Sequence, residues 1–338
     1  MTPEFFARPS ARLFSAALAL LFLCGCAAPL KVKLFTDAGD PLREFTLSGD
    51  ATEKILLVNV GGIISDFPEF DLMRTKPNIV QEIVSQLKLA ENDPRVKAVI
   101  LKINSPGGSA TASDIIYNEI TGFKARTGRP VVVCMMDIAV SGAYYISLPA
   151  DKIYAHPTSV TGSVGAVFIN PNISGLMGKL GIDVDVNKSG KNKDMCSWFR
   201  RPSSEETQIM NGLIKCIGDR FVELTVKHRK LTPESKELTA TARVFTAPQA
   251  KDIGLIDEIG YFNDALNCAK KLGKAPDNAR LVVYRRTEYP NDNIYNISTG
   301  GAAGSEPKYS LMRLGVLEDA AEIRPGFYYM WLPALSDR

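Results

Sequence analysis

Apolar and polar positions along the middle of this chain switch repeatedly between two periods. Ile55–Val60 (ILLVNV) is an apolar run of strand length, and Ile79, Val80, Ile83, Val84 and Leu87 then recur at helical spacing until Asp93-Pro94. Val96–Ile103 (VKAVILKI) predicts a second strand. Thr111 with Asp114 resembles a capping box that opens a helix through Ile115, Ile116, Ile120 and Phe123. Val131–Met136 predicts a third strand, Ala143–Leu148 a short helix, and Lys152–Ala155, Val164–Ile169 and Asp183–Asn187 further strands. Ser203 with Glu206 caps a long helix carrying Ile209, Leu213, Ile217, Phe221 and Leu224. A helix ending at Gly254, a short strand over Leu255–Ile259 and an amphipathic helix over Tyr261–Leu272 complete the pattern. Repeated β-α-β units of this kind predict an α/β fold with largely parallel strands and helices outside them.

The two ends depart from this rhythm. Leu13–Leu23 is an apolar stretch of signal-peptide length, preceded by the basic Arg8 and Arg12 and followed by Leu23-Cys24-Gly25-Cys26. This has the look of a bacterial lipobox, with Cys26 as the lipidated residue of the mature chain. Residues 1–25 are thus expected to be a lipoprotein signal peptide and 26–50 a tether, with 51–275 as the main domain. Residues 276–338 form an extension with a flexible loop over Pro290–Pro307 and an aromatic tail, Gly326–Pro333 (GFYYMWLP), expected to pack on the domain. A chain anchored through Cys26 would face the periplasm of a bacterial cell envelope. Ala27 lacks the aspartate associated with inner-membrane retention, which hints at the outer membrane.

Composition narrows the chemistry. Lys and Arg number 40 against 37 Asp and Glu, so the net charge of +3 gives no electrostatic case for nucleic acid. With two histidines, His156 and His228, a multi-histidine metal site is all but excluded. Cys134, Cys196, Cys216 and Cys268 show no paired spacing, so neither a zinc site nor a disulfide framework is indicated, and Cys134 reads as a small core residue. No metal or cofactor is expected.

Two glycine-bearing turns stand where strands end, Asn104-Ser105-Pro106-Gly107-Gly108 and Ala139-Val140-Ser141-Gly142-Ala143. Functional groups of open α/β sheets gather at such ends. A Gly-Gly pair allows close backbone approach, and a serine opening a helix lies near its positive end. Together the turns offer a hydroxyl and N–H donors suited to a tetrahedral oxyanion, although Ser141 could equally be a plain N-cap. G-x-S-x-G is absent around Ser141, and the phosphate-binding glycine spacings are absent too. The candidate bases are His156, His228 and the lysines of Lys188-Ser189-Gly190-Lys191-Asn192-Lys193-Asp194. A lysine base requires desolvation, which must bring its pKa from about 10.4 to about 7–8.

The segments LKINSPGGS (101–109), DIAVSGAYYIS (137–147), TGSVGAVF (161–168), KSGKNKDM (188–195) and GLID (254–257) occur in an order that resembles the signal peptide peptidase A family of Ser-Lys serine peptidases. More distantly they are similar to the Clp protease/crotonase fold with its spiral core. The resemblance implies Ser141 as nucleophile, Lys193 as general base and Ser163 as the serine that positions the lysine. It further implies the N–H groups of Gly107 or Gly108 and of Gly142 as oxyanion donors. It also implies a homo-oligomeric ring with composite active sites, acting on extended hydrophobic peptides such as residual signal peptides. Ala143 stands where many relatives carry glycine, and the lipid anchor replaces the transmembrane helix of many relatives. Rival readings are crotonase-like acyl-CoA chemistry, a Ser–His site built on His156 or His228, and a catalytically silent membrane assembly protein.

Overall fold

The computed structural model describes residues 40–67, 69–71, 74–296 and 325–335. The signal segment, Cys26 and residues 297–324 of the C-terminal extension lie outside them. In chain order the strands are β1 (Arg43–Ser48), β2 (Lys54–Gly61), the small hairpin β3 (Glu69–Asp71) and β4 (Arg74–Lys76), β5 (Val96–Ser105), β6 (Gly107–Ser109) and β7 (Val131–Val140). They continue with β8 (Lys152–Ala155), β9 (Val160–Gly162), β10 (Val167–Ile169), β11 (Val244–Thr246), β12 (Glu258–Ile259), β13 (Arg280–Arg285) and β14 (Gly326–Met330). The helices are α1 (Ile79–Asn92), α2 (Ala110–Thr127), α3 (Gly142–Ser147), α4 (Ser174–Leu180), α5 (Ser204–Arg229), α6 (Pro233–Ala240), α7 (Ala247–Asp252) and α8 (Phe262–Leu272).

The main sheet runs β1-β13-β2-β5-β7-β8-β12, and β9 with β11 branches from the end of β7. From β13 to β12 every pairing is parallel, as the β-α-β reading requires. Strand alternation divides the core between the two sheet faces. Leu56, Val58, Val60, Val99, Leu101, Val131 and Val133 pack with α1, α2 and α3 on one face. Ile55, Leu57, Ala98, Ile100, Val132 and Cys134 meet Phe262, Ala265, Leu266 and Ala269 of α8 on the other. Burying both faces explains why these strands read as continuous apolar runs.

Several boundaries move. Residues 43–48, read as tether, form the antiparallel edge strand β1 on β13, with Phe45 and Leu47 packed against the α8-side cluster. The ordered body therefore continues past residue 275 into β13. Helix α2 begins at Ala110, one residue before Thr111, because Ser109 caps it by accepting from the Ala112 N–H, and Asp114 instead accepts from the Tyr145 hydroxyl. The strand expected over Val164–Ile169 starts only at Val167. No strand forms over 183–187: Ile182, Val184 and Val186 stand exposed, and among the described residues nothing pairs with them. An alternating sequence becomes a strand only where a ladder partner is supplied. The helix expected to end at Gly254 is two helices, α6 and α7, separated by β11. The aromatic tail packs as expected, and it does so as β14, the central strand of a second sheet ordered β10-β14-β6.

Candidate active site

The first glycine turn is built by side chains on either side of it. The Asn104 side-chain oxygen accepts from the Ile138 N–H at 3.0 Å and so ties the ends of β5 and β7 together. Ser105 Oγ donates to the Gly62 carbonyl at 2.6 Å and accepts from the Gly107 N–H at 3.1 Å, which folds the chain over Pro106. Gly107 then takes φ +93°, a conformation that favours glycine. The Ile64 N–H donates to the Gly107 carbonyl at 2.8 Å, and Ser109 N–H donates to the Ile64 carbonyl at 2.8 Å. A methyl on Gly108 would stand 2.0 Å from the Ile64 oxygen, so the second glycine is required by packing rather than by torsion.

Ser141 lies at the end of β7 with φ 56° and ψ −119°, a left-handed conformation costly for a residue with a Cβ. Its N–H donates to the Gly162 carbonyl at 2.7 Å and its carbonyl accepts from the Tyr145 N–H at 2.9 Å, so strand and helix hold it from opposite sides. The side chain is 1% exposed, and its hydroxyl makes no hydrogen bond among the described residues. This is a sharp strand-to-helix turn presenting an unpaired hydroxyl. The next residue, Gly142, meets the other turn backbone to backbone. A methyl on Gly107 would stand 2.7 Å from the Gly142 nitrogen, and one on Gly142 would stand 3.2 Å from the Gly108 nitrogen. The structure thus brings Ser141, Gly107, Gly108 and Gly142 together.

Ser163 joins them through the sheet. β9 lies parallel to β7 with Val140 opposite Gly162, and Thr161 Oγ1 donates to the Ala139 carbonyl at 2.6 Å to lock that register. Ser163 is buried, with φ 53°, and its N–H donates to the Arg243 carbonyl at 2.8 Å.

Lys193 is not brought to this cluster within one chain. It sits in an exposed turn, and among the described residues its amine has neither a hydrogen bond nor an ion pair. Its surroundings are organised by neighbours. Lys188 Nζ donates to Asp194 at 2.7 Å, and Arg200 donates to Asp194 at 2.8 and 2.9 Å and to Glu206 Oε2 at 2.9 Å. Those contacts, Arg200 foremost and Lys188 next, hold the Asp194 carboxyl well below the usual carboxylate range. Glu206 also accepts from the Ser203 N–H as the capping box of α5, so the lysine-bearing arm is pinned to that helix.

The histidines are engaged elsewhere. His156 Nδ1 pairs with Thr158 Oγ1 at 2.8 Å and its ring packs edge-on against Tyr261. His228 Nε2 pairs with the Tyr117 hydroxyl at 2.8 Å, and burial pushes its pKa down. Neither touches Ser141.

The aromatic pair following the serine supports the turn. The Tyr144 hydroxyl donates to the Leu255 carbonyl at 2.8 Å, joining the SGAYY and GLID segments. The Tyr145 hydroxyl donates to Asp114 Oδ1 at 2.5 Å, while Arg220 donates to the same oxygen at 2.7 Å. The sequence reading missed that β14 runs alongside the Gly107–Gly108 turn, placing the Tyr329 carbonyl between the two glycine turns. The signal available for it was an aromatic, strand-forming run in an otherwise irregular extension.

Residues 124–275 match the model of peptidase family S49, and residues 72–161 match that of Clp protease. A signal peptide peptidase SppA of Enterococcus faecium is 35% identical over 253 residues, covering 75% of this chain and 73% of its own. Protease 4 of Salmonella typhi is 38% identical over 224 residues, which are 66% of this chain and 36% of that longer protein. A solved ClpP1 mutant from Listeria monocytogenes aligns over 64% of this chain and 95% of its own, at 20% identity and a TM-score of 0.39. The mixed α/β sheet is of the Clp protease kind, and the chain belongs to peptidase family S49, the signal peptide peptidase A family of serine peptidases.

Proposed function

We propose that this serine peptidase is a lipid-anchored endopeptidase of the bacterial envelope. In this reading it is held by Cys26, faces the periplasm and cleaves extended hydrophobic peptides such as residual signal peptides. Ser141 Oγ attacks the peptide carbonyl carbon, and the amine of Lys193 takes the hydroxyl proton. The N–H groups of Gly108 and of Gly142 hold the resulting oxyanion, the Gly107 N–H being engaged by Ser105 Oγ; each such donor contributes about 100- to 1000-fold in rate. The lysine then returns the proton to the departing amine, and water hydrolyses the acyl-enzyme. The observation that carries the reading is Ser141 in a left-handed turn, with an unpaired hydroxyl, directly against the Gly107–Gly108 turn.

Lys193 reaches a serine in this reading by belonging to a neighbouring copy. It lies outside the cleft of its own chain, on an arm that exposes Leu176, Leu180, Ile182, Val184, Val186 and Trp198. Apolar exposure on that scale calls for a covering surface. A second copy supplies one and gives the lysine its desolvation at the same time. Head-to-tail repetition of that contact closes a ring.

The test is covalent labelling with a serine-directed phosphonate, read by mass spectrometry on the intact chain and on Ser141→Ala. The proposal expects labelling at Ser141 alone, with loss of peptidase activity. Labelling elsewhere, or an active Ser141→Ala chain, contradicts it.

A further inference from the structure

The strand that carries the nucleophile changes partners partway along. Up to Met135, β7 lies between β5 and β8, with Ile103 opposite Met135 on one side and Ala155 on the other. From Ile138 onward its outer neighbour is β9, and Ala139 stands opposite Ser105 of β5. Between the pairs Ile103–Met135 and Ser105–Ala139, β5 supplies one residue, Asn104, and β7 supplies three, Met136, Asp137 and Ile138. Those three form a bulge. A bulge bends its strand and turns the residues after it in a new direction. Here the bend takes β7 off β8 and onto β9, and the redirected end leads through Val140 into Ser141.

A bulge takes backbone groups out of the ladder, and each then needs another partner. Side chains provide them. Ser159, 1% exposed, points its hydroxyl at the Met135 carbonyl, 3.1 Å away, and at the Met136 carbonyl. The Met135 carbonyl already accepts from the His156 N–H at 2.9 Å, so the single hydroxyl proton serves Met136. On the other edge, Asn104 Oδ1 accepts from the Ile138 N–H at 3.0 Å, in the place of a ladder carbonyl. Asn104 differs from Ser159 in being exposed. A single bond from an exposed side chain adds little to stability, because water competes for both partners. What this one fixes is the direction in which β7 leaves the bulge.

We infer that Asn104 is a positioning residue for Ser141, acting through the side-chain oxygen that fixes the β7 bulge. This rests on the proposed peptidase site. The coupling is geometrical. Ser141 holds a left-handed φ of 56°, and strain of that kind persists only while the surroundings hold the residue in place. One hold is its N–H on the Gly162 carbonyl at 2.7 Å, and Gly162 closes β9, a strand of three residues. β7 meets β9 only beyond the bulge. Releasing Ile138 frees that last stretch to shift against β9, and it carries Ser141 Oγ and the Gly142 N–H away from the Gly107–Gly108 turn. A misplacement of about 1 Å between reacting groups costs about 100-fold in rate. The position requires an acceptor at this reach. Aspartate keeps that oxygen, and alanine lacks it.

Two measurements on the full chain test this, with Asn104→Ala and Asn104→Asp beside the unmodified sequence. The first needs no catalysis. Amide hydrogen exchange is read residue by residue by mass spectrometry. In Asn104→Ala, exchange at Ile138 and Ser141 is expected to be at least about 10-fold faster, while Val132 and Val133, ahead of the bulge, are unchanged. Asn104→Asp is expected to match the unmodified chain at all four. Unchanged exchange at Ser141 in the alanine variant overturns the inference. The second measurement is peptide hydrolysis. Asn104→Ala is expected to lose about 10- to 100-fold in kcat with KM altered by less than about 3-fold, and to melt no more than about 4 °C lower. Asn104→Asp is expected to stay within about 3-fold of the original kcat. An alanine variant with full kcat, a loss confined to KM, or an aspartate variant as slow as alanine overturns the inference. Exchange that follows the expectation, in a chain that cleaves no peptide, leaves the bulge assignment standing and overturns the peptidase reading instead.

Discussion

Ser141 and Ser163 each follow one member of a single register pair, Val140 and Gly162, and both adopt left-handed backbone, with φ of 56° and 53°. The parallel β7–β9 ladder thus delivers two serines from turns 22 residues apart in sequence to neighbouring strand ends. Their hydroxyls are unpaired among the described residues, which leaves both ready to accept a partner from outside the chain.

Ser163 is expected to serve the lysine rather than the backbone. Ser163→Ala should lower kcat by about 10- to 100-fold and move the alkaline rise of the rate profile, since the neutral amine loses its hydrogen-bond partner. Ser163→Gly should be just as slow yet no less stable than Ser163→Ala, because glycine adopts this φ without strain. Restored activity in the glycine variant would assign Ser163 a conformational role only. Rates across pH and melting temperatures of both variants decide it.

The glycine turns set the second expectation. Gly107→Ala places a methyl 2.7 Å from the Gly142 nitrogen at a position of φ +93°, and Gly142→Ala places one 2.5 Å from Ser113 Oγ. Each should cost at least about 100-fold in kcat/KM, by displacing an oxyanion donor. Gly62, also left-handed but with open space where its Cβ would be, serves as a comparison: Gly62→Ala should keep the rate and lose only about 1 kcal/mol of stability. Peptide hydrolysis together with thermal unfolding separates the cases.

A third expectation concerns acid stability. Burial pushes the Asp257 carboxyl up, but the Arg229 hydrogen bond at 3.0 Å, its charge and the Ile153 N–H at 2.8 Å outweigh it and hold the pKa below its ordinary 3.8. A carboxyl lowered by folding adds stability above its unfolded pKa and loses it as pH falls through the folded value. This contribution should therefore be complete at neutral pH and decline only below about pH 4. Arg229→Met should remove about 2–4 kcal/mol at pH 7, less than for a fully enclosed pair, and flatten the acid limb. Urea unfolding at pH 7 and pH 3 measures both. Equal destabilisation at the two pH values would contradict the assignment.

Much of this site is legible in the sequence because each glycine turn follows a strand buried on both faces. VKAVILKI and VVVCMMDI mark β5 and β7 unmistakably, so the residues after them fall at the carboxyl edge of the sheet. The elements missed are those whose stability comes from a distant partner. β1 has exposed alternation and pairs with β13 far along the chain, and β9 is three residues held by β7 and β11. The arm around 182–199 fails the opposite way: its alternation predicts a strand, yet within one chain nothing pairs with it. Periodicity reports which side chains seek burial, not whether the covering surface belongs to the same molecule.

That last point bears on the central claim, that the serine of one copy meets the lysine of the next. Ser141→Ala and Lys193→Ala chains are each expected to be inactive, the second because no other base reaches the hydroxyl. Mixed in equal amounts and allowed to exchange subunits, they should recover about a quarter of the wild-type rate, since random assembly joins an intact serine to an intact lysine at about one interface in four. Recovered hydrolysis in the mixture, absent from either variant alone, is the predicted result. A mixture as inactive as its components after proven exchange, or a Lys193→Ala chain active by itself, would contradict the account.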